Sequence, residues 1–352
     1  MRIRTVPQVA PTTCSAYSAR LDEPLAGTAP VARAWLAIEQ PGPWGARALT
    51  QSHFDAELGA ELNRRAEAAG VRIAMIRRVG HHALPNTHAP SDPDAVAADS
   101  YAESESAGQP SSRRVLLAST APGRCSVRAM DVTDPHVLLD LDFAALGAGH
   151  VPAGDPHPAP VLLVCTNAKR DQCCAVLGRA LALNIASLAD PAGLELWESD
   201  HLGGHRFAPT AVVLPTGYVY GRLDPATALE AVHAAAGRRV AARSCRGRST
   251  WSRFGQAADL ALREQLQEFD EAAVEVVAEQ EVPDAAGARG GAAPGTGTGT
   301  GTQSVAVDLT CHGTRYQAVV EQRAAAEPRP ESCGKAFGNP AEYIVHSLEK
   351  IG

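Results

Sequence analysis

The stretch VLLVCTNAKRDQCCAVLGRALALNI, residues 161–185, decides the fold of the central part of the chain. Its first five residues form an uninterrupted apolar run, which predicts a strand buried on both faces. Residues 173–185 are apolar and rich in helix-forming types, so we expect a helix there with Asp171 as its N-cap. A loop of eight residues separates Cys165, at the end of the strand, from Cys174, in the first turn of the helix.

The elements after this stretch complete a β-α-β-β-β-α order. The segment LELWE predicts a second strand, and two apolar runs on either side of Pro215-Thr216-Gly217 predict a hairpin. A helix follows that starts with a proline and ends before Gly237. This order is that of a thioredoxin-like domain of the α/β class. The predicted strands are 194–198, 211–214 and 218–222, and the predicted helix is 225–236.

The first 150 residues repeat this order of elements, although the two halves share no convincing residue-level identity. We therefore expect a second, degenerate thioredoxin-like half that precedes the first and carries no metal ligands. Its predicted elements are strands at 32–39 and 71–77, a helix at 54–69, a hairpin of 114–119 and 125–132, and a closing helix at 135–146.

Three regions are predicted along the chain. They are an N-terminal α/β domain at 1–150, a thioredoxin-like domain at 151–240, and a C-terminal region at 241–352 with a helix and a small β part. The C-terminal region has strands predicted at 273–282 and 304–310. Two segments, 86–113 and 283–302, are rich in small and polar residues and are predicted to be mobile.

The composition argues against several classes of protein. The net charge of −7 gives no reason to expect nucleic-acid binding. The chain contains no apolar run of ~18 residues, so we expect no membrane association. The N-terminus lacks the apolar core of a signal peptide, which predicts a cytoplasmic protein. Eight cysteines are too few for a disulfide scaffold and indicate metal or redox chemistry.

Cysteines and histidines in two short segments form a candidate metal site. Cys165, Cys173 and Cys174 flank the strand–helix loop, and His201 and His205 lie in the segment HLGGHRF. Thiolates and imidazoles bind soft or borderline metals, so the set suits zinc or an iron–sulfur cluster. A helix start favours the thiolate form of Cys173 or Cys174. The glycine pair between the histidines permits a tight loop close to a cofactor.

These segments resemble the sucrase/ferredoxin-like family of thioredoxin-like 2Fe–2S ferredoxins. The family pattern has a cysteine, a basic–Asp segment and a second cysteine nine positions after the first, followed by His-x-Gly-Gly-His-[Arg/Lys]-Phe-Ala. Cys165, Lys169-Arg170-Asp171, Cys174 and residues 201–208 match it, while Asn167 stands where many members have histidine. The segments EPLAGTAP, IEQPGPWG and RPESCGK extend the resemblance over most of the chain.

The resemblance implies a 2Fe–2S cluster held by Cys165, Cys174, His201 and His205. In centres with two histidine ligands the potential lies at roughly −150 to +300 mV, against about −400 mV for plant-type ferredoxins. We therefore expect a fairly high, pH-dependent potential and an electron carrier or redox sensor rather than a catalyst. No paired carboxylates support a glycosidase. The residues expected around the ligands are Lys169, Arg170, Asp171, Cys173, Gly203, Gly204 and Arg206.

Two alternatives remain open at this stage, a structural Cys2His2 zinc site and a thiol-dependent redox enzyme that uses Cys173 or Cys174. The expected partner is an unidentified redox protein, either a reductase or an electron acceptor. Lys169, Arg170 and Arg206 are candidates for docking it, as are six arginines between positions 238 and 253. The remaining cysteines are interpreted as structural: Cys14, Cys125, Cys245, Cys311 and Cys333.

Overall fold

The quoted stretch supplies an inner strand of a ten-stranded mixed sheet and the helical segment that follows this strand. The computed structural model describes residues 7, 9–80, 112–151, 153–188, 193–282 and 302–352, so the predicted mobile segments lie almost entirely outside the described residues. The strands of this sheet are β1 (Ala34–Glu39), β2 (Val71–Arg77), β3 (Arg113–Ser119), β4 (Ser126–Val132), β5 (Asp155–Pro156), β6 (Val161–Cys165), β7 (Glu195–Ser199), β8 (Ala211–Leu214), β9 (Tyr218–Tyr220) and β10 (Cys245–Arg248).

The large sheet contains the same four-strand arrangement twice. Strand β6 pairs in parallel with β7 and antiparallel with β8, which pairs antiparallel with β9. Strands β1, β2, β3 and β4 repeat this pattern in the same order. The two halves join where β2 and β7 pair antiparallel, at Ile76–Ser199 and Arg77–Glu198. The repeated element order predicted from sequence is therefore confirmed, within one continuous α/β sheet.

The helices are α1 (Cys14–Arg20), α2 (Ala56–Ala68), α3 (Phe143–Gly147), α4 (Arg179–Ser187), α5 (Pro225–Ala236) and α6 (Arg253–Leu266). Helix α5 has the predicted bounds. The helix predicted from residue 173 opens with a π-helical turn, Cys174–Gly178, that runs directly into α4. The predicted closing helix of the first half is instead a 3-10 turn, Pro135–Asp140, followed by the short α3.

Alternate residues of β6 face two different cores, as the pleat of a strand requires. Leu162 and Val164 pack in a core that includes residues of α4 and α5. Leu163 and Cys165 belong to a second core that also contains Cys173 and Cys174. All five residues of β6 are buried, which confirms the strand predicted from the apolar run. The strand thereby places the Cys165 side chain on the face that carries the other cysteines.

The C-terminal region forms a four-stranded antiparallel sheet against which α6 packs. Its strands are β11 (Val274–Val282), β12 (Gln303–Cys311), β13 (Thr314–Ala324) and β16 (Ala341–Lys350), and β14 (Arg329–Pro330) pairs with β15 (Phe337–Gly338) between them. The strands predicted at 273–282 and 304–310 are confirmed. The β14–β15 hairpin reaches back to the N-terminal segment, where Arg329 forms a 3.0 Å ion pair with Glu23. None of the described helices is long and apolar enough to cross a membrane.

Candidate metal centre

The thiols of Cys165 and Cys174 meet at the carboxyl end of β6. Both residues are 1% exposed. The π-helical turn lies directly on the strand end, because a Cβ on Gly178 would stand 2.0 Å from the carbonyl oxygen of Cys165. The two thiols share a hydrogen bond that lowers the pKa of Cys165 and raises that of Cys174. This hydrogen bond therefore favours negative charge on the sulfur of Cys165 over that of Cys174.

Both predicted histidines stand beside this cysteine pair. Nδ1 of His205 lies 3.4 Å from the sulfur of Cys174. The rings of His201 and His205 stack with their centroids 4.8 Å apart and an angle of 25° between their planes. Burial lowers the pKa of His201 to about 3 and also lowers the pKa of His205. Both imidazoles are therefore neutral at pH 7, the state in which a ring nitrogen can bind a metal.

A buried arginine supports the loop that carries the histidines. Arg246 is 1% exposed and donates hydrogen bonds to the carbonyl oxygen of Gly203 at 3.0 Å and to Oγ1 of Thr28 at 3.0 Å. Gly203 and Gly204 both have positive φ angles, of 79° and 71°. Burial lowers the pKa of Arg246 to about 9, so the guanidinium remains charged at neutral pH. Strand β10 thus places a positive charge near the cysteines and histidines at neutral pH.

The histidines border two open clefts of about 690 and 450 Å³. Ala46, Arg170 and His201 line both clefts, and His205 lines the smaller one. Nη2 of Arg170 lies 3.2 Å from Nε2 of His201. The exposed cations Lys169, Arg170, Arg253 and Lys335 surround the smaller cleft together with a single exposed acid, Glu331. The histidine edge of the site therefore faces a cationic opening.

Several cations predicted to dock a partner are instead part of the interior. Arg206 is mostly buried, and its Nε donates to Glu23 at 2.7 Å. Arg248 is 0% exposed and donates to Oε2 of Glu271 at 3.0 Å. The prediction of a docking surface along residues 238–253 is therefore wrong for Arg246 and Arg248. Both guanidinium groups form hydrogen bonds with neighbouring segments inside the protein. A basic stretch of sequence does not show whether its arginines are buried in this way or exposed.

A second group of side chains lies on the other side of the same helix start. One ligand atom from each of Cys14, Asp171, Cys173 and Cys333 lies within 4.8 Å of all the others, so the group can hold a metal ion. A hydrogen bond from Cys14 lowers the pKa of Cys173 to about 6. Although burial opposes it, N–H groups of Cys333 and Cys173 lower the pKa of Asp171.

The second group was not predicted from the sequence. Cys14 and Cys333 were interpreted as structural cysteines, whereas the fold brings their sulfur atoms to 3.5 Å across 319 positions of sequence. Cys173 was predicted to lie near the first site, but its sulfur belongs to the second group. Asp171 has the predicted N-cap role, since its Oδ1 accepts from the N–H of Cys173 at 2.8 Å. The segment RPESCGK contributes to this group, because the hydroxyl of Ser332 and the N–H of Cys333 both donate to Oδ2 of Asp171.

Comparison with known proteins bears on the first site. The family described as sucrase/ferredoxin-like matches residues 25–247, which is more than half of the chain and includes all four predicted ligands of the first site. No curated protein and no solved structure matches the chain. Cys14 and Cys333 lie outside the matched residues. On the extent of this match, the chain belongs to the sucrase/ferredoxin-like family.

Proposed function

We propose that this chain is a 2Fe–2S protein for electron transfer or redox sensing, with Cys165, Cys174, His201 and His205 as the ligands. One observation carries the proposal. Pairwise contacts link the four donors at one edge of the sheet: Cys165 with Cys174, Cys174 with Nδ1 of His205 at 3.4 Å, and His205 with the stacked ring of His201. Family membership supports the same donor set.

The donor set suits a cluster of two irons. The two cysteines contact each other and the two histidines stack on each other, so the four donors fall into a sulfur pair and a nitrogen pair. In Rieske centres two histidines replace two cysteines on one of the two irons. Nδ1 of His201 is buried and has no hydrogen-bond partner among the described residues, and an iron bound there would satisfy this atom. A bound cluster would supply one-electron transfer.

Protein groups around the donors set charge and proton position. A guanidinium can only donate, so in the metal-free protein Arg170 favours neutral His201 with its proton on Nδ1, and this proton must leave before Nδ1 can bind iron. Arg246 adds a buried positive charge that offsets negative charge on the thiolates. These two arginines support a fairly high potential that falls as pH rises, because electron gain is then linked to proton gain at an imidazole.

We also propose that the scaffold is thioredoxin-like in both halves, with the cluster in the domain at 151–240. The repeated strand arrangement around β6 and β1 supports this interpretation. The cationic rim of Lys169, Arg170 and Lys335 supports a redox partner with an acidic docking face. We expect this encounter in the cytoplasm.

The test is anaerobic purification followed by a visible spectrum and iron, sulfide and zinc analysis. We expect a red-brown protein with about two irons and two sulfides per chain. Cys174→Ser should lose the colour, whereas Cys173→Ser and the buried control Cys245→Ser should keep it. A colourless protein with zinc bound by these four residues would overturn the proposal and favour the structural-zinc alternative.

A further inference from the structure

We propose that Cys14, Cys173 and Cys333, completed by Oδ1 of Asp171, bind a zinc ion at a site separate from the proposed cluster. The three sulfur atoms form a compact triangle. Cys14 lies 3.7 Å from Cys173, Cys173 lies 3.3 Å from Cys333, and Cys333 lies 3.5 Å from Cys14. Cys14 and Cys173 are 0% exposed, and Cys333 is partly buried.

These distances lie within about 0.5 Å of the edges of one zinc coordination sphere. Tetrahedral zinc with Zn–S bonds of about 2.3 Å places its sulfur ligands about 3.8 Å apart. Zn–O bonds of about 2.0 Å give a sulfur–oxygen edge of about 3.5 Å. Oδ1 of Asp171 lies 3.7 Å from the sulfur of Cys14. Ligands for two irons would divide into two more widely separated pairs, so this group fits a single ion.

Asp171 has the hydrogen bonds expected of a ligating carboxylate. Its Oδ2 accepts from the hydroxyl of Ser332 at 2.8 Å and from the N–H of Cys333 at 2.7 Å. Its Oδ1 accepts from the N–H of Cys173 at 2.8 Å and from the thiol of Cys14 at 3.7 Å. Cys14 loses its thiol proton when it binds zinc, which leaves Oδ1 a lone pair for the metal. The carboxylate therefore fixes the backbone of two cysteine ligands while it offers one oxygen.

Further donors point at the sulfur atoms. The hydroxyl of Ser15 donates to Cys173 at 3.1 Å, and the N–H of Cys14 donates to Cys333 at 3.5 Å. Such donors stabilise thiolates, the form in which cysteine binds zinc. Three thiolates and a carboxylate in a buried group would repel one another unless a cation lay between them. A closed set of four protein donors is the arrangement of a structural rather than a catalytic zinc site.

The zinc would connect three distant parts of the chain. Cys14 begins α1, Cys173 precedes the π-helical turn, and Cys333 lies in the connection between β14 and β15. The same surfaces meet elsewhere, since the rings of Tyr17 and Phe337 pack edge to face with centroids 5.0 Å apart. The site therefore fastens the N-terminal helix and the C-terminal hairpin to the helix start that also carries Cys174.

The experiment measures zinc, iron and free thiols in the full-length protein. Wild type should hold about one zinc per chain. Cys14→Ser and Cys333→Ser should each reduce zinc affinity at least about tenfold, because loss of even an outer-shell partner costs about 10–100-fold. The control Cys311→Ser, a buried cysteine of β12, should keep its zinc. Cys333→His provides a second test, because histidine also binds zinc but cannot form a disulfide, so this variant should retain zinc where Cys333→Ser does not.

Several results would overturn the proposal: wild-type protein without zinc, zinc unaffected by Cys14→Ser and Cys333→Ser, or iron in place of zinc at this group. Protein that is isolated without zinc and lacks two free thiols, because Cys173 and Cys333 form a disulfide, would also overturn it. The proposed cluster is tested separately by iron and colour. A colourless, iron-free protein whose zinc is lost on Cys333→Ser would refute the cluster and support the zinc site.

Discussion

Replacement of Gly204 by alanine tests whether the buried arginine shapes the histidine loop. Gly204 has φ 71° and ψ 49°, in the left-handed region. A Cβ at this position would lie 2.3 Å from Nη2 and 2.7 Å from Cζ of Arg246. Arg246 is 1% exposed and holds Thr28 and the Gly203 carbonyl, so it has little room to withdraw.

Gly203→Ala is a matched control for this change. Gly203 has a positive φ of 79°, but a Cβ there would meet nothing within 4 Å. Both variants incur the left-handed backbone cost of about 1–2 kcal/mol. Gly204→Ala must in addition displace the guanidinium, at about 1–3 kcal/mol for overpacking, and weaken charge-assisted hydrogen bonds of about 1.5–3 kcal/mol each. Because these contributions overlap, we expect Gly204→Ala to be less stable than Gly203→Ala by about 2–4 kcal/mol.

Urea unfolding followed by circular dichroism measures this difference. Iron content gives a second measurement, since a displaced loop should carry His205 away from Cys174. The double variant Gly204→Ala/Arg246→Met removes the clashing guanidinium, so the extra cost should largely disappear in that background. The reasoning would be refuted if the free energies of unfolding of the two glycine variants agreed within about 0.5 kcal/mol. Effects of substitutions at independent sites vary by about that amount.

Two further predictions concern the sheet junction and pH. Glu198→Gln should destabilise the protein by about 3–5 kcal/mol, because it leaves the buried guanidinium of Arg77, 2.9 Å away, without its carboxylate. Glu61→Gln, on an exposed helix face, is the control. Equal urea midpoints for the two variants would contradict this prediction. Burial lowers the pKa of His201 to about 3, so the unfolded chain binds more protons than the folded one between about pH 3 and 6.5. The stability of metal-free protein should therefore rise with pH across that window and level off above it, and a slope unchanged by His201→Gln in urea unfolding would count against this.

Most of the fold was predictable because local patterns specify it. The apolar run of β6, the proline and glycine that bound α5, and the hairpin around Pro215-Thr216-Gly217 each carry their own signal. The exact form of the helix start was not predictable. A π-helical turn at Cys174–Gly178 depends on the close approach of Gly178 to Cys165, which is a tertiary contact. Strands β13 and β16 were not predicted, because apolar and polar residues alternate only weakly in them and many of their residues are polar.

The two candidate sites differ in how far apart their residues lie in sequence. Residues 165–205 contribute every donor of the first site, and one strand–helix–strand unit with its following loop brings them together. The second group needs Cys14 and Cys333, whose proximity depends on contacts between α1 and the β14–β15 hairpin. Sequence spacing therefore indicates the first site and is silent on the second. Arg246 was missed for the same reason, since only the folded chain places it under the glycine loop.

The adjacent cysteines at the helix start link the two sites mechanically. Successive helical residues point about 100° apart, so Cys173 and Cys174 can serve different groups from one backbone segment. Cys173 is positioned by contacts with Asp171, Cys14 and Cys333. The turn that carries Cys174 is positioned by the close packing of Gly178 on the end of β6. Loss of the second group therefore releases only one of two constraints on Cys174. For this reason variants of Cys14 or Cys333 should loosen the terminal segments while the donors of the first site stay together, and the metal contents of the two sites can be separated by mutation.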